Sequence, residues 1–398
     1  MYLEEETLNK LRLNSPPGGW FPALQELYWY PNESNLPYAD VFFSSHLKRI
    51  SIHMIWPWKS TGLPSCIRST LASTISALPT SSLQHLSFIG IGHPAMSWEY
   101  LTDPVSSVIL RCGPSFTEYN SPVPLSDAAL NHLIHLPHLR TWRTHSPPPS
   151  YPASSLPPVF PPLRKFTLGE GAARRWLPLL ECLEDGIPTT ESTTSLSKVK
   201  ESLKFLHIED PPGAITDAFF VSPIRKFRNL VDLDIDIRCY DESRERRCTF
   251  KLNNDNVAEL TMALPQLESL LLGRACSENT CLTTVACLLQ ISVHCVKLEK
   301  FKGVHLNTTN IVEDFKNIHE DPRFKQLLSL PRCPLKLLGV YQTPLTLDEP
   351  GFETVAKGMI NIFPSLRRCD GLESSWDKVS WRLVELQKLR TLLACYDE

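Results

Sequence analysis

Residues Leu230–Asp236 read Leu-Val-Asp-Leu-Asp-Ile-Asp. Leu230, Leu233 and Ile235 make an L-x-x-L-x-L hexad, and in an extended chain residues 233 and 235 point to one face. Asp232, Asp234 and Asp236 point to the other, so the stretch predicts a strand with an apolar side and an exposed acidic side. Nothing in this segment covers its own leucines. The chain meets that need by writing the hexad many times, which is the mark of a repeat architecture.

Copies stand at Leu8-Leu11-Leu13, Leu24-Leu27-Trp29, Leu47-Ile50-Ile52 and Leu83-Leu86-Phe88, with a degenerate one at Phe116-Tyr119. They continue at Leu139-Trp142, Leu163-Phe166-Leu168, Leu203-Leu206-Ile208 and Leu230-Leu233-Ile235. Leu267-Leu270-Leu272, Leu298-Phe301, Leu335-Leu338-Val340 and Leu366-Cys369 close the series. First leucines follow one another at about 16 to about 40 residues. Regular leucine-rich repeats take about 20–29 residues, so here the hexad is strict and its connections are loose.

Helical patterns fill the intervals. Ser126 and Asp127 are placed to cap a helix carrying Leu130, Leu133 and Ile134, which Pro137 closes. Ile67, Leu71, Ile75 and Leu78 recur at helical spacing before Pro79, and Val257, Leu260 and Leu264 before Pro265. Phe352, Val355, Ala356, Met359, Ile360 and Phe363 form the longest stripe and stop at Pro364. Strand, loop, helix, proline, strand is the recurring order. The expected fold is therefore an α/β leucine-rich-repeat solenoid, or horseshoe, with an inner, mainly parallel sheet and outer helices. It is expected to run as a single solenoid over 1–398, with 372–398 as a C-terminal capping segment.

The net charge of −3 argues against a general nucleic-acid binder. No run of 18 or more apolar residues predicts a membrane span. The start, MYLEEETLNK, has no apolar h-region and does not read as a secretory signal. Twelve cysteines are scattered without paired spacing. Cys182 and Cys287 lie in helical patterns and Cys369 in a hexad, where a free thiol packs as a small hydrophobe. Reduced thiols in the cytoplasm or nucleus are the expected state. Eight prolines in 146–162 predict a stiff surface loop or, alternatively, a docking site for a proline-recognising module. The Ser/Thr-rich 189–197 and the charged run 241–247 are expected in loops.

Several constellations invite a chemical reading. Asp232, Asp234 and Asp236 stand at steps of about 6.5–7 Å along one strand face. They fit a solvated strip, a contact for a basic partner segment, or a metal site. The last is disfavoured, since one flat strand cannot wrap a cation with six or more oxygens. Glu209 extends the strip if it lies on the preceding strand. His132, His135 and His138 are spaced by three but lack the glutamate of H-E-x-x-H, and ordinary surface histidines explain them. Cys276, Cys281, Cys287 and Cys295 with His294 form the densest thiol cluster, without any C-x-x-C. Gly169-Glu170-Gly171 follows a hexad, yet Arg174 and Arg175 stand where a phosphate loop needs its third glycine and lysine. No catalytic motif survives, and no cofactor or metal is expected.

The hexads resemble leucine-rich-repeat proteins, and the chain is similar more narrowly to the F-box proteins of mushroom-forming fungi. The resemblance is carried by FPALQELYW (21–29), LPYADVFFSSHLKRISI (36–52), ALNHLIHLPHLRTW (129–142) and FPPLRKFTL (160–168). VAELTMALPQLESLLLG (257–273) and VACLLQISVHCVKLEKF (285–301) add to it. It implies a substrate-recognition subunit of a ubiquitin ligase, whose F-box binds a Skp-family adaptor while the repeats hold the protein substrate. Hexads beginning at Leu8 leave no room for the box, so the chain reads as the repeat portion. A Skp-family adaptor is then a partner only if an F-box exists upstream. A free-standing scaffold or inhibitor is the other reading. Arg238 and Ala275 stand where regular repeats carry asparagine or cysteine, so no asparagine ladder is expected.

The residues between the leucines are expected to line the concave face and bind protein. They include Glu26, Tyr28, Tyr30, Arg49, His53, Arg143 and Lys165, then Phe205, His207, Asp232, Asp234, Asp236, Lys300, Lys302 and Tyr341. Aromatic and arginine side chains are the usual anchors of such interfaces.

Overall fold

The computed structural model describes residues 5–16, 20–32, 35–54, 64–90, 98–145, 162–169, 176, 201–210, 223–237, 253–273, 283–304, 306–320, 322, 325–326, 330–340, 345–371 and 374–396. The chain divides into two compact units, Met1–Trp176 with Asp185–Ser202, and Leu177–Glu184 with Leu203–Glu398. Both are α/β, with parallel strands that pair in chain order and helices between them.

In the first unit α1 (Glu5–Leu13) precedes β1 (Glu26–Trp29), a 3-10 turn at Leu36–Phe42, and β2 (Arg49–Met54). Then come α2 (Ser65–Ser76), β3 (His85–Gly90), α3 (Thr102–Arg111), β4 (Glu118–Asn120), α4 (Asp127–Ile134), β5 (Thr141–Thr144) and β6 (Lys165–Leu168). The register sets Leu27, Ile50, Leu86, Tyr119, Trp142 and Phe166 side by side. From Ile50 to Phe166 these ribs are at most 2% exposed. Each large apolar side chain so buried contributes roughly 1.5–3 kcal/mol. Trp142, Phe166 and Trp176 meet edge to face and tilted, with ring centroids 5.0–5.9 Å apart.

The second unit runs β7 (Phe205–Asp210), β8 (Asp232–Ile237), α5 (Asn254–Ala263), β9 (Ser269–Leu272), α6 (Val285–His294) and β10 (Lys300–Val304). It ends with α7 (Ile311–Glu320), β11 (Leu337–Val340), α8 (Glu349–Ile362), β12 (Arg368–Gly371) and α9 (Ser374–Tyr396). Leu206, Leu233, Leu270, Phe301, Leu338 and Cys369 form its inner row, none above 1% exposed. Gly273 and Gly303 have φ of 78° and 83°. A Cβ at Gly303 would sit 2.2 Å from the Gly273 carbonyl oxygen, so the end of β10 stacks backbone on backbone against the turn after β9.

Helix ends follow the capping signals. Ser126 Oγ accepts the Ala129 N–H at the start of α4, and Asn253 and Asn256 close a reciprocal capping box on α5. Asn254 spans two coils: its amide donates to Thr284 Oγ1 and its Oδ1 accepts the Thr284 N–H, both at 2.9 Å. Arg238 and Ala275, at the expected ladder positions, lie outside the described residues.

Two expectations are corrected. Leu8-Leu11-Leu13 is not a strand but part of α1, with Leu8 buried and Leu13 77% exposed. The aspartate face of β8 is not uniformly exposed: Asp232 and Asp234 are half-buried and Asp236 is 2% exposed. Asp236 is enclosed because it pairs in register with Glu209 on one side, while on the other the Gly273 N–H reaches the carbonyl of the adjacent Ile235 at 2.7 Å. The segments 146–161, 189–197 and 241–247, expected as loops, lie outside the described residues, as do Tyr341, Cys182, Cys276, Cys281, Glu170, Gly171, Arg174 and Arg175.

Candidate protein-binding faces

A hexad places its third, fifth and seventh residues on the side of the sheet opposite the leucine ribs, and parallel register turns them into rows. In the first unit one row is Glu26, Arg49, His85, Glu118, Thr141 and Lys165. Two acid–base pairs stand at its start: Arg49 Nε is 3.8 Å from Glu26 Oε1, and His85 Nδ1 is 2.8 Å from Glu118 Oε2. The His85 imidazole beside Glu118 holds its carboxyl below the usual range, against a smaller opposing effect of burial.

The next row is Tyr28, Ser51, Ser87, Asn120, Arg143 and Thr167. Tyr28 is 54% exposed, whereas Ser51 and Ser87 are buried. Tyr30 is likewise exposed and stacks on the half-buried His53 at 4.5 Å between centroids. Tyr28, Tyr30, Arg49 and His53 are thus brought together on β1 and β2. Arg143 and Lys165 lie on β5 and β6 of the same unit. His85 and Glu118 were absent from the residues singled out above. The hexad rule applied to Leu83-Leu86-Phe88 names His85 directly, as its third residue.

In the second unit the first row is Phe205, Asp232, Ser269, Lys300, Leu337 and Arg368. The row beside it is His207, Asp234, Leu271 and Lys302, with Gly339 and Asp370 beyond a register irregularity between β10 and β11. His207 is held between two carboxylates, with Nε2 3.5 Å from Glu209 Oε1 and Nδ1 3.5 Å from Asp234 Oδ2. β7 and β8 therefore make an acidic end, relieved in part by one imidazole. Lys300 and Lys302 make a basic position on β10, two strands or about 9.5 Å away. A Cβ at Gly339 would lie 3.1 Å from Lys302 Cγ, so the glycine is what lets that lysine stem rest on β11. The arrangement can offer shape, hydrogen bonds and opposite charges at a fixed spacing.

The histidines spaced by three are engaged on α4: His132 Nε2 is 3.0 Å from the Cys112 carbonyl, and His135 Nδ1 is 2.7 Å from the Asn131 carbonyl. His138 is exposed. Of the thiol cluster, Cys287 and Cys295 are buried core residues, and His294 contacts Gln290 Oε1 at 3.1 Å. Among the described residues no helix is long and apolar enough to cross a membrane.

No protein-family model matches the chain. Over 81 residues it is 31% identical to elongation factor 4 of three Clostridium perfringens strains, across 20% of this chain and 14% of the length of those proteins. A stretch that short carries no activity over. The fold is similar to a chain in the crystal structure of the Rad7 and Elc1 complex in yeast, with a TM-score of 0.39 and 12% identity, across 92% of this chain and 78% of that one.

Proposed function

We propose that this protein is a non-catalytic protein-binding module that presents its rows of inter-leucine residues to a partner, as the substrate-recognition repeats of an F-box ubiquitin-ligase subunit do. The observation that carries the reading is the registration itself. Leucine ribs are buried on one side of the strands of each unit, and charged and aromatic side chains stand in rows on the other. Recognition then works through exposed tyrosines, which contribute area at small entropic cost, and through charge complementarity, which selects the partner and speeds its approach. The titratable groups of the faces pair with one another, His85 with Glu118 and His207 with Glu209 and Asp234, an arrangement suited to orienting a contact.

A photoreactive side chain placed at Asp234 or Tyr28 tests this. It should crosslink a partner that a probe on the outer helices, at Glu353, does not reach. Asp234→Lys should weaken a basic partner about tenfold while the circular dichroism spectrum is unchanged. Crosslinking at Glu353 alone would place binding on the helices and remove the reading. Binding of a Skp-family adaptor, by this chain or by a longer form of it, decides for the ligase subunit; no binding by either leaves a free-standing scaffold or inhibitor.

A further inference from the structure

The first strand of the first unit and the last strand of the second are finished differently. At β12 the last strand is covered by α9: Ser380 Oγ accepts the Cys369 N–H at 2.8 Å and donates to the Cys369 carbonyl at 2.6 Å, and the Gln387 amide donates to the Leu366 carbonyl. Trp376, Val379 and Leu383 of the same helix are buried. The backbone N–H and C=O of Cys369 are therefore satisfied and the strand lies under α9, which is how exposed sheet edges are usually blunted.

β1 has no such cover among the described residues, where it pairs with β2 alone. The Gln25 carbonyl accepts from Lys48 and Arg49, and because backbone groups alternate along a strand, those of Glu26 and Tyr28 point away from β2. The ribs tell the same story. Leu24 and Leu27 are half-exposed, whereas their counterparts Leu47 and Ile50 are 1% and 0% exposed. Glu26 is exposed; Arg49 approaches its Oε1 to 3.8 Å from the β2 side, and the Tyr28 hydroxyl donates to its Oε2 at 3.4 Å.

We infer that the β1 edge is a second binding site, one that takes an extended leucine-rich strand of a partner protein added parallel to β1. Hydrogen bonds to Glu26 and Tyr28 supply main-chain affinity, as in β-augmentation. Leu24 and Leu27 require apolar residues at the first, fourth and sixth positions of the added strand. Glu26 requires a lysine or arginine at the third, beside its carboxylate. The heptapeptide LKRISIH, the sequence of positions 47–53, has this pattern and serves as the probe.

The test fuses LKRISIH ahead of the full chain through a flexible Gly/Ser linker, which holds it at about millimolar effective concentration. Amide hydrogen exchange is then followed at Glu26 and Tyr28. Slowing by about tenfold or more is expected at both amides relative to a scrambled heptapeptide. Tyr28→Pro removes one outward donor and leaves the β2 ladder intact, since proline is tolerated where the edge N–H faces solvent. It should abolish the slowing at Glu26 while Leu27 stays protected. Should that variant unfold, Glu26→Lys replaces it: the slowing should be lost with LKRISIH and regained with LKEISIH. Equal slowing by the scrambled peptide, or none, overturns the inference. So does slowing that appears in the untagged chain and grows with protein concentration, which would assign the edge to a second copy. These readouts follow backbone amides along the β1 edge and need no partner bound across the rows of side chains, so the inference can fail while the face reading stands.

Discussion

Glu118 shows how much of a row's behaviour rests on one neighbour. Its register partner His85 on β3 stands 2.8 Å away and, more than any other group, pulls the carboxyl below its ordinary value. Protonating Glu118 is therefore harder in the folded chain than in the unfolded one. The stability it supplies is fully present above the unfolded value, about 4.3, and drains as pH falls through the lower folded value. Glu118→Gln should flatten the acid limb of thermal stability between neutral pH and that window. Parallel melting curves for the two proteins over the range would refute the assignment. Asp236 carries the opposite lesson. Alternation alone placed it on the exposed face beside Asp232 and Asp234, yet it is buried. Period two fixes which side of the sheet a residue faces and is silent on what lies over that side.

Between elements, small residues set the distances. A Cβ at Gly358 on α8 would sit 2.2 Å from Phe315 Cδ1 on α7, so the two helices touch ring against backbone. In a free helix Gly→Ala gains about 0.5–1 kcal/mol. Here overpacking costs about 1–3 kcal/mol, and the second effect is the larger. Gly358→Ala should lower the urea midpoint, and Phe315→Leu on that background should restore part of it; a raised midpoint in the single variant would mean that α7 yields freely. The strands and most of their intervening helices could be read from the sequence, because buried leucines at hexad spacing and proline-stopped stripes are local signals. α1 could not be read from the hexad. Leu8 and Leu11 satisfy both the strand pattern and the i, i+3 spacing of a helix. What distinguishes the segment is its good helix formers and the Lys10–Glu6 pair at 2.6 Å across one turn. The His207 clamp was equally hidden, since Glu209 and Asp234 reach it from its own strand and the next.

For the molecule as a whole, the question is whether a lesion in one coil spreads. Leu233 is fully buried, in register between Leu206 and Leu270. Truncating it to alanine removes contacts on both sides at a cost of about 2–5 kcal/mol. In a stack each coil touches mainly its neighbours, so the loss should fade with distance along the chain of coils rather than be felt uniformly. Two buried thiols of the second unit report on this. Cys295 follows α6, between β9 and β10, and Cys369 lies on β12. Burial raises both thiols far above their ordinary range, so native thiolate is scarce and alkylation proceeds through opening of the fold. In Leu233→Ala, site-resolved alkylation should accelerate more at Cys295 than at Cys369, and amide exchange more in β7, β8 and β9 than in β11 and β12. Equal acceleration at both thiols would mean that the unit opens as one block, and the nearest-neighbour account of its stability would then be wrong.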